Sequence, residues 1–275
     1  MKKINKKIII LFILLILIIV GGISFIKLES KKEVTNEVTS NNEQKSEKKQ
    51  PVTFTMTALG DSLCHNTQYW DAYNSKNDEY DFSYVYEDIK GYTTSADITV
   101  GSLETTFAGK ERGYSNYPTF NTPDSLAKAL KDIGLDVVSL AGNHALDYGY
   151  TGLCRTIDVF DNVGISHLGT YKTEEEQKQV LVKDVKGVKI AFINYTYGTN
   201  GIALPSGKEY CVNIIDKDAI KKQILEAKNQ NVDMIVACMH WGTEYKTSSN
   251  DEQEELAEFL FKNGVDVILG NHPHV

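Results

Sequence analysis

Positive charge is scarce in the part of this chain that can fold. The 275 residues carry 29 Lys and Arg against 37 Asp and Glu, a net charge of −8. Residues 1–27 hold five lysines and no acids, and residues 28–50 balance five lysines with five glutamates, so −13 falls on the remainder. That balance argues against nucleic acid as a partner, since its binding is dominated by Lys and Arg contacts to phosphate. An acidic surface attracts cations and repels a polyanion unless bound metal or local lysines reverse the field. Cysteine is sparse too. Cys64, Cys154, Cys211 and Cys238 form no CxxC pair, which excludes a zinc ribbon or a thioredoxin-type motif. An oxidising compartment would permit one or two disulfides among them, although Cys238, inside an apolar run, reads equally well as a buried thiol. There are only 5 prolines and no internal repeat.

Long apolar runs are confined to the N-terminus. Ile8–Ile26 is a 19-residue stretch that would span about 28 Å as a helix, close to the hydrocarbon thickness of a bilayer. No A-x-A cleavage pattern follows it, and no Cys stands behind it to accept a lipid. It therefore reads as an uncleaved signal anchor rather than a cleaved signal peptide. Lys2, Lys3, Lys6 and Lys7 precede it, so the N-terminus is expected in the cytoplasm and everything after Ile26 outside a single-pass membrane anchor. Residues 28–51 are rich in Lys, Glu, Ser, Asn, Thr and Gln and cannot bury enough surface to offset ordering entropy, which makes them a polar tether. Residues 52–275 are long enough for one α/β domain. The chain stops at Val275, directly after a strand and a motif, so further strands are expected beyond it.

From Val52 onward, strand and helix patterns alternate. Strands are predicted at 53–59, 98–102, 137–140, 234–239 and 267–269, and a hairpin at 180–185 and 188–195 around Lys186-Gly187. Helices are predicted at 82–94, from Thr122-Pro123 to Gly134, at 151–163 closed by Gly164, at 216–229, and at 250–262 capped by Gly264. The alternation specifies an α/β fold with a largely buried sheet.

Five loops follow predicted strands, where ligands bind in α/β sheets. They hold Gly60-Asp61 with His65, Leu103-Glu104, Gly142-Asn143-His144 with Asp147-Tyr148-Gly149, His240-Trp241-Gly242 with Glu244-Tyr245, and Gly270-Asn271-His272-Pro273-His274. Five of the six histidines fall in these loops, and His167 does not. Imidazole and carboxylate together suit Zn, Mn or Fe. Two such ions about 3.5–4 Å apart could bind a phosphate or carboxylate and activate a water. Each residue alone has an ordinary alternative: Asp61 as a helix cap, Glu104 or His65 as a surface group, Asp147 as a turn-holder. The joint pattern carries the expectation. In His272-Pro273-His274, alternate residues of an extended segment would aim two imidazoles to one side.

As an ordered set, these motifs resemble the CapA family of capsule poly-γ-glutamate biosynthesis proteins, itself similar to the calcineurin-like metallophosphoesterases. The resemblance runs from about Thr53 to Val275, and the anchor and tether fit it. It implies two packed β-sheets flanked by helices, an α/β/β/α sandwich, with a dinuclear metal site. Position by position, it implies Asp61 on a first metal, Glu104 as bridging carboxylate, and Asn143 and His240 on a second metal. His272 and His274 would complete the pair, and His144 would act as acid or transition-state stabiliser, with Asp147 beside it. His65 is near enough to Asp61 to contribute as a ligand. Two positions depart from the phosphoesterase pattern. Its Asp-x-His opening is here Asp61-Ser62-Leu63, with His65 two places late, and its bridging Asp is Glu104. The implied role is synthesis, export or retention of poly-γ-glutamate beside membrane-bound synthetase subunits. A metal-dependent phosphoesterase or other hydrolase, and a non-catalytic polymer-binding module, are the alternatives.

Overall fold

The computed structural model describes residues 51–275, so the expected anchor and the tether up to Gln50 lie outside the described residues. Among the described residues, no helix is long and apolar enough to cross a membrane. The first half of the domain runs β1 (Met56–Ser62), α1 (Asn66–Asp71), β2 (Tyr73–Asn74), β3 (Glu79–Tyr80), α2 (Glu87–Ser95), β4 (Ile98–Leu103), α3 (Ser125–Asp132), β5 (Val137–Ser139), α4 (Gly149–Val163) and β6 (Ser166–Leu168). The second half runs α5 (Glu174–Gln177), β7 (Leu181–Val185), β8 (Val188–Thr196), α6 (Lys217–Asn229), β9 (Met234–His240), α7 (Asp251–Asn263) and β10 (Val267–Asn271).

The strands form two four-stranded sheets, ordered β1-β4-β5-β6 and β10-β9-β8-β7, beside a small β2-β3 hairpin. Every pairing in the first sheet is parallel. In the second, β10, β9 and β8 are parallel and only β7 is antiparallel. Parallel strands end at the same edge, which sets up a shared rim for the loops that follow them.

Side-chain alternation explains the layering. In β8, Ile190 and Phe192 join Val236 and Cys238 of β9 and Ile98, Val100 and Val137 of the first sheet in a core between the sheets. The intervening Ala191 and Ile193 face outward to Ile220, Ile224, Leu256 and Leu260 of α6 and α7. On the far side, Leu126 and Leu130 of α3 and Leu153, Ile157 and Phe160 of α4 pack on Val138. Strands covered on both faces lose the polar–apolar alternation and read as continuous apolar runs. The layers are therefore helix, sheet, sheet, helix, as the resemblance implies.

Local signals set the boundaries. The β7–β8 turn places Lys186 and Gly187 at φ 54° and 85°, the paired left-handed backbone of a two-residue hairpin turn. Asp216 and Asn250 cap α6 and α7, accepting from the Ala219 and Gln253 amides. Gly164 and Gly264 end their helices in left-handed conformation. Some expectations are corrected. The predicted helix at 82–94 begins as a 3-10 turn, Ser83–Tyr86, before α2. The first strand starts three residues later than expected and runs through Ser62. His167 lies on an unpredicted edge strand, β6, with Nε2 3.1 Å from Asp161 Oδ1, a structural contact. All four cysteines are free.

Candidate metal centre

Asp61 owes its position to an irregularity. Between Ala58 and Asp61, β1 advances one residue more than its partner β4. Such a bulge redirects the side chains that follow it. Asp61 Oδ2 then accepts from the His272 amide at 2.8 Å, across 211 residues of chain. Glu104 follows β4, Asn143 and His144 follow β5, His240 ends β9, and His272 follows β10. These strand ends share one rim, and their side chains meet there.

Glu104 is the hub. Its side chain is nearly fully buried; Oε1 lies 3.6 Å from His240 Nε2 and 3.8 Å from His272 Nδ1, whereas Oε2 lies 3.4 Å from His274 Nε2. His240 Nδ1 faces Asp61 Oδ1 at 3.6 Å, and its Nε2 lies 3.0 Å from Asn143 Oδ1. The longer separations exceed hydrogen-bond length, so these groups face one another without direct bonds. Asp61 Oδ1, Glu104 Oε2, His240 Nδ1 and His272 Nδ1 are buried without a hydrogen-bond partner. Four such atoms aimed into one space are costly in a folded protein unless something satisfies them, and a divalent cation does so for carboxylate and imidazole together.

Three groups offer ligand atoms within 4.8 Å of one another: Glu104, His240 and His272; Asp61, Glu104 and His274; and Glu244, His272 and His274. The first two share Glu104, whose Oε1 faces His240 and His272 and whose Oε2 faces His274. Charge follows the same pattern. Burial raises the Glu104 carboxyl, but the neighbouring His240 and His272 imidazoles outweigh it and hold Glu104 down to about 2. Burial disfavours imidazolium at His240, yet the Asp61 and Glu104 carboxylates bring it up to about 9.

The segment carrying His272 and His274 is not extended, contrary to expectation. Both residues adopt positive φ, 97° and 57°. This strained backbone folds the imidazoles toward Glu104, with ring centroids 6.0 Å apart.

Beside the centre, His144 Nδ1 lies 2.8 Å from Asp147 Oδ2, with both side chains buried. The Phe120 amide also donates to Asp147 Oδ2, at 2.6 Å. That bond fixes the carboxylate, which in turn fixes the tautomer of His144 with Nδ1 as donor. The Phe120 ring contacts His144 edge-on at 4.7 Å. His65 is exposed, makes its own edge contact with Phe120 at 5.0 Å, and enters none of the three groups. The two-residue displacement from the Asp-x-His spacing carries it past the end of β1 to the start of α1.

Several contributors carried weaker signals in the sequence. Asn194, on β8, accepts from the Ala141 amide at 2.7 Å and donates to the Cys238 carbonyl at 2.9 Å, tying the Asn143 loop to β9. Its signal was a polar residue inside a buried strand. Asn200 Nδ2 sits 3.4 Å from both ring nitrogens of His144, and its Oδ1 accepts from Asn143 at 3.3 Å. Tyr197 lies parallel to His240 at 6.3 Å and 4.7 Å from His272. Both belong to the loop after β8, which has no pattern of its own. A cavity of about 340 Å³ is lined by Tyr197, Trp241, Lys217 and Gln253, with none of the candidate ligands in its wall.

A sequence model described as "Bacterial capsule synthesis protein PGA_cap" matches residues 55–275. The capsule biosynthesis protein CapA of Bacillus anthracis is 28% identical over 233 residues, 81% of this chain and 54% of that protein. The PGA biosynthesis protein CapA of Bacillus subtilis is 29% identical over 197 residues, 70% of this chain and 51% of that protein. The chain thus spans about half the length of these curated relatives. Among solved structures, a putative 5'-nucleotidase from Staphylococcus aureus superposes with a TM-score of 0.51 at 16% identity, covering 80% of this chain and 45% of that one. At that identity the likeness establishes a shared fold alone.

Proposed function

The chain belongs to the bacterial capsule synthesis family PGA_cap, and on that premise we propose that it handles poly-γ-glutamate at the outer face of the cell membrane through a two-metal centre. Asp61, Glu104 and His274 would hold one ion, and Glu104, Asn143, His240 and His272 would hold the other. The observation that carries this reading is the set of four buried, unpartnered polar atoms converging from both sheets. Divalent ions bound there supply Lewis acidity toward a carboxylate or phosphoryl oxygen and neutralise a polyanion against an acidic domain. The protein's own groups do the rest. Tyr197 packs against His240 and His272, and Asp147 holds the His144 ring in place beside the centre for proton transfer with a substrate. Residues 1–27 anchor the chain in the membrane and 28–51 tether the domain, which places the centre outside the cell near membrane-bound synthetase subunits.

Metal-dependent hydrolysis is a second reading, favoured specifically by the His144–Asp147 pair and the 5'-nucleotidase-like fold. A polymer-binding module needs no general acid. The deciding experiment complements a strain lacking the gene with wild type, Glu104→Gln or His144→Ala and measures surface polymer. Loss with both variants supports hydrolytic processing. Loss with Glu104→Gln alone supports metal-dependent binding. Full polymer with Glu104→Gln removes the metal from the function.

A further inference from the structure

The loop after β8 carries one residue that touches two groups of the site at once. Asn200 lies at its tip with φ 51°, followed by Gly201 at φ 77°. The turn is braced from within. The Ile202 amide donates to the Thr199 carbonyl at 2.9 Å, and the Thr199 hydroxyl donates to the Ile202 carbonyl at 2.6 Å. Asn and Asp tolerate left-handed backbone better than other side chains, so this turn can hold a short amide against the rim at little strain.

Asn143 is only 1% exposed. A buried side-chain amide must set its oxygen and its nitrogen on chemically different partners. Asn143 Oδ1 faces His240 Nε2 at 3.0 Å, and its Nδ2 donates to Asn200 Oδ1 at 3.3 Å. The reversed orientation would set oxygen against oxygen at Asn200. Asn200 is itself held this way round by the Tyr197 hydroxyl, which donates to the same Oδ1 at 3.5 Å. Its Nδ2 stands 3.4 Å from each ring nitrogen of His144. Equal distances place that nitrogen over the face of the ring, leaving His144 Nδ1 to Asp147. We propose that Asn200 is a positioning residue: it fixes the Asn143 amide with its oxygen turned to His240 and covers the His144 ring. The orientation stands on contacts within the protein. Its consequence for cation binding rests on the two-metal reading above, in which Asn143 is a ligand.

The test uses the full chain in detergent, with nitrogen-15 asparagine, stripped of metal by chelator. Asn143→Ala identifies the Asn143 side-chain NH₂ resonances by their loss. Wild type, Asn200→Gly and Asn200→Asp are then compared. Gly keeps the left-handed backbone without the amide, and Asp keeps both that backbone and an acceptor for Asn143. Exchange of the Asn143 NH₂ protons with water should be about 2–10-fold faster in Asn200→Gly, the equivalent of one hydrogen bond, and unchanged in Asn200→Asp. With Mn²⁺ titrated by calorimetry, Asn200→Gly should weaken by about 10–100-fold the same ion that Asn143→Ala weakens, the usual effect of losing a group that orients a ligand. Asn200→Asp should restore it. Melting temperatures in chelator should agree, since Asn200 is exposed. Unchanged exchange in Asn200→Gly overturns the inference. So do equal losses in Asn200→Gly and Asn200→Asp, or a melting temperature that falls with the affinity, since either marks the loop as a structural support only. Faster exchange with unchanged Mn²⁺ affinity supports the positioning role and removes Asn143 from the ligands. A wild type that binds no Mn²⁺ overturns the two-metal reading, and the exchange rates then decide the role of Asn200 by themselves.

Discussion

Glu104 shows how one buried side chain can organise a centre. A carboxylate with almost no exposure is costly unless paired, and Glu104 is paired on both oxygens by imidazoles too distant for hydrogen bonds. With any metal removed by chelator, these charges give a definite pH dependence. His240 has its pKa raised from 6.5 to about 9; its stabilisation is complete below pH 6.5 and is lost as pH rises through about 9. Glu104 is lowered from 4.5 to about 2; its stabilisation is complete above pH 4.5 and is lost as pH falls through about 2. In chelator, the melting temperature should therefore fall between pH 6.5 and 9. With Mn²⁺ the trend should reverse, because a cation must displace the proton from His240 and does so more easily as pH rises. Parallel curves with and without metal would show that the ion does not engage His240. His144 tests a different property. If the centre hydrolyses its substrate, His144→Ala should lower turnover by about 10²–10⁴-fold with Mn²⁺ affinity unchanged; a loss of metal affinity would place His144 among the ligands instead.

At the scale of elements, the rim depends on contacts between the two sheets. Asn194 satisfies one backbone group on each side, and it sits against Gly169 so closely that an added Cβ there would lie 2.0 Å from Asn194 Oδ1. Gly169 also has φ 94°, where a side chain is strained in any case. Asn194→Ala leaves a buried donor and a buried acceptor unpaired and should cost about 2–4 kcal/mol in urea unfolding. Gly169→Ala should cost at least about 2 kcal/mol by the same measure, through strain and the displaced amide. If either variant is as stable as wild type, Asn194 does not tie the sheets. The elements legible in the sequence were those with strong local cues: the Lys186-Gly187 turn, the Asp216 and Asn250 caps, and the apolar runs of β8 and β9. The site was legible because its residues follow parallel strands, and such strands end together. The rest was not. β6, with three residues, and the β2-β3 hairpin, with two per strand, are too short for periodicity to register. The backbone of His272 and His274 follows from tertiary contacts such as the Asp61 bond to the His272 amide, which no local pattern encodes.

At the scale of the whole molecule, the domain and the N-terminal segment answer to different measurements. Folding rests on three apolar clusters contained within residues 51–275, so a chain lacking residues 1–50 should melt at the same temperature as the full chain. On cell fractionation the full chain should sediment with membranes and the shortened one should not. Co-sedimentation of both would remove the anchor from the account of location.

Asp61, Glu104 and Asn143 come from the first sheet, and His240, His272 and His274 from the second. Each of the two groups used by the proposed two-metal centre draws ligands from both sheets, so loading them would wait for the two halves to dock. Under the proposed function, any ion so bound would be drawn from the pool of whichever compartment the chain finishes folding in. A polypeptide threaded unfolded across a membrane would load from its destination, with no influence from the metal economy of the cell interior that made it.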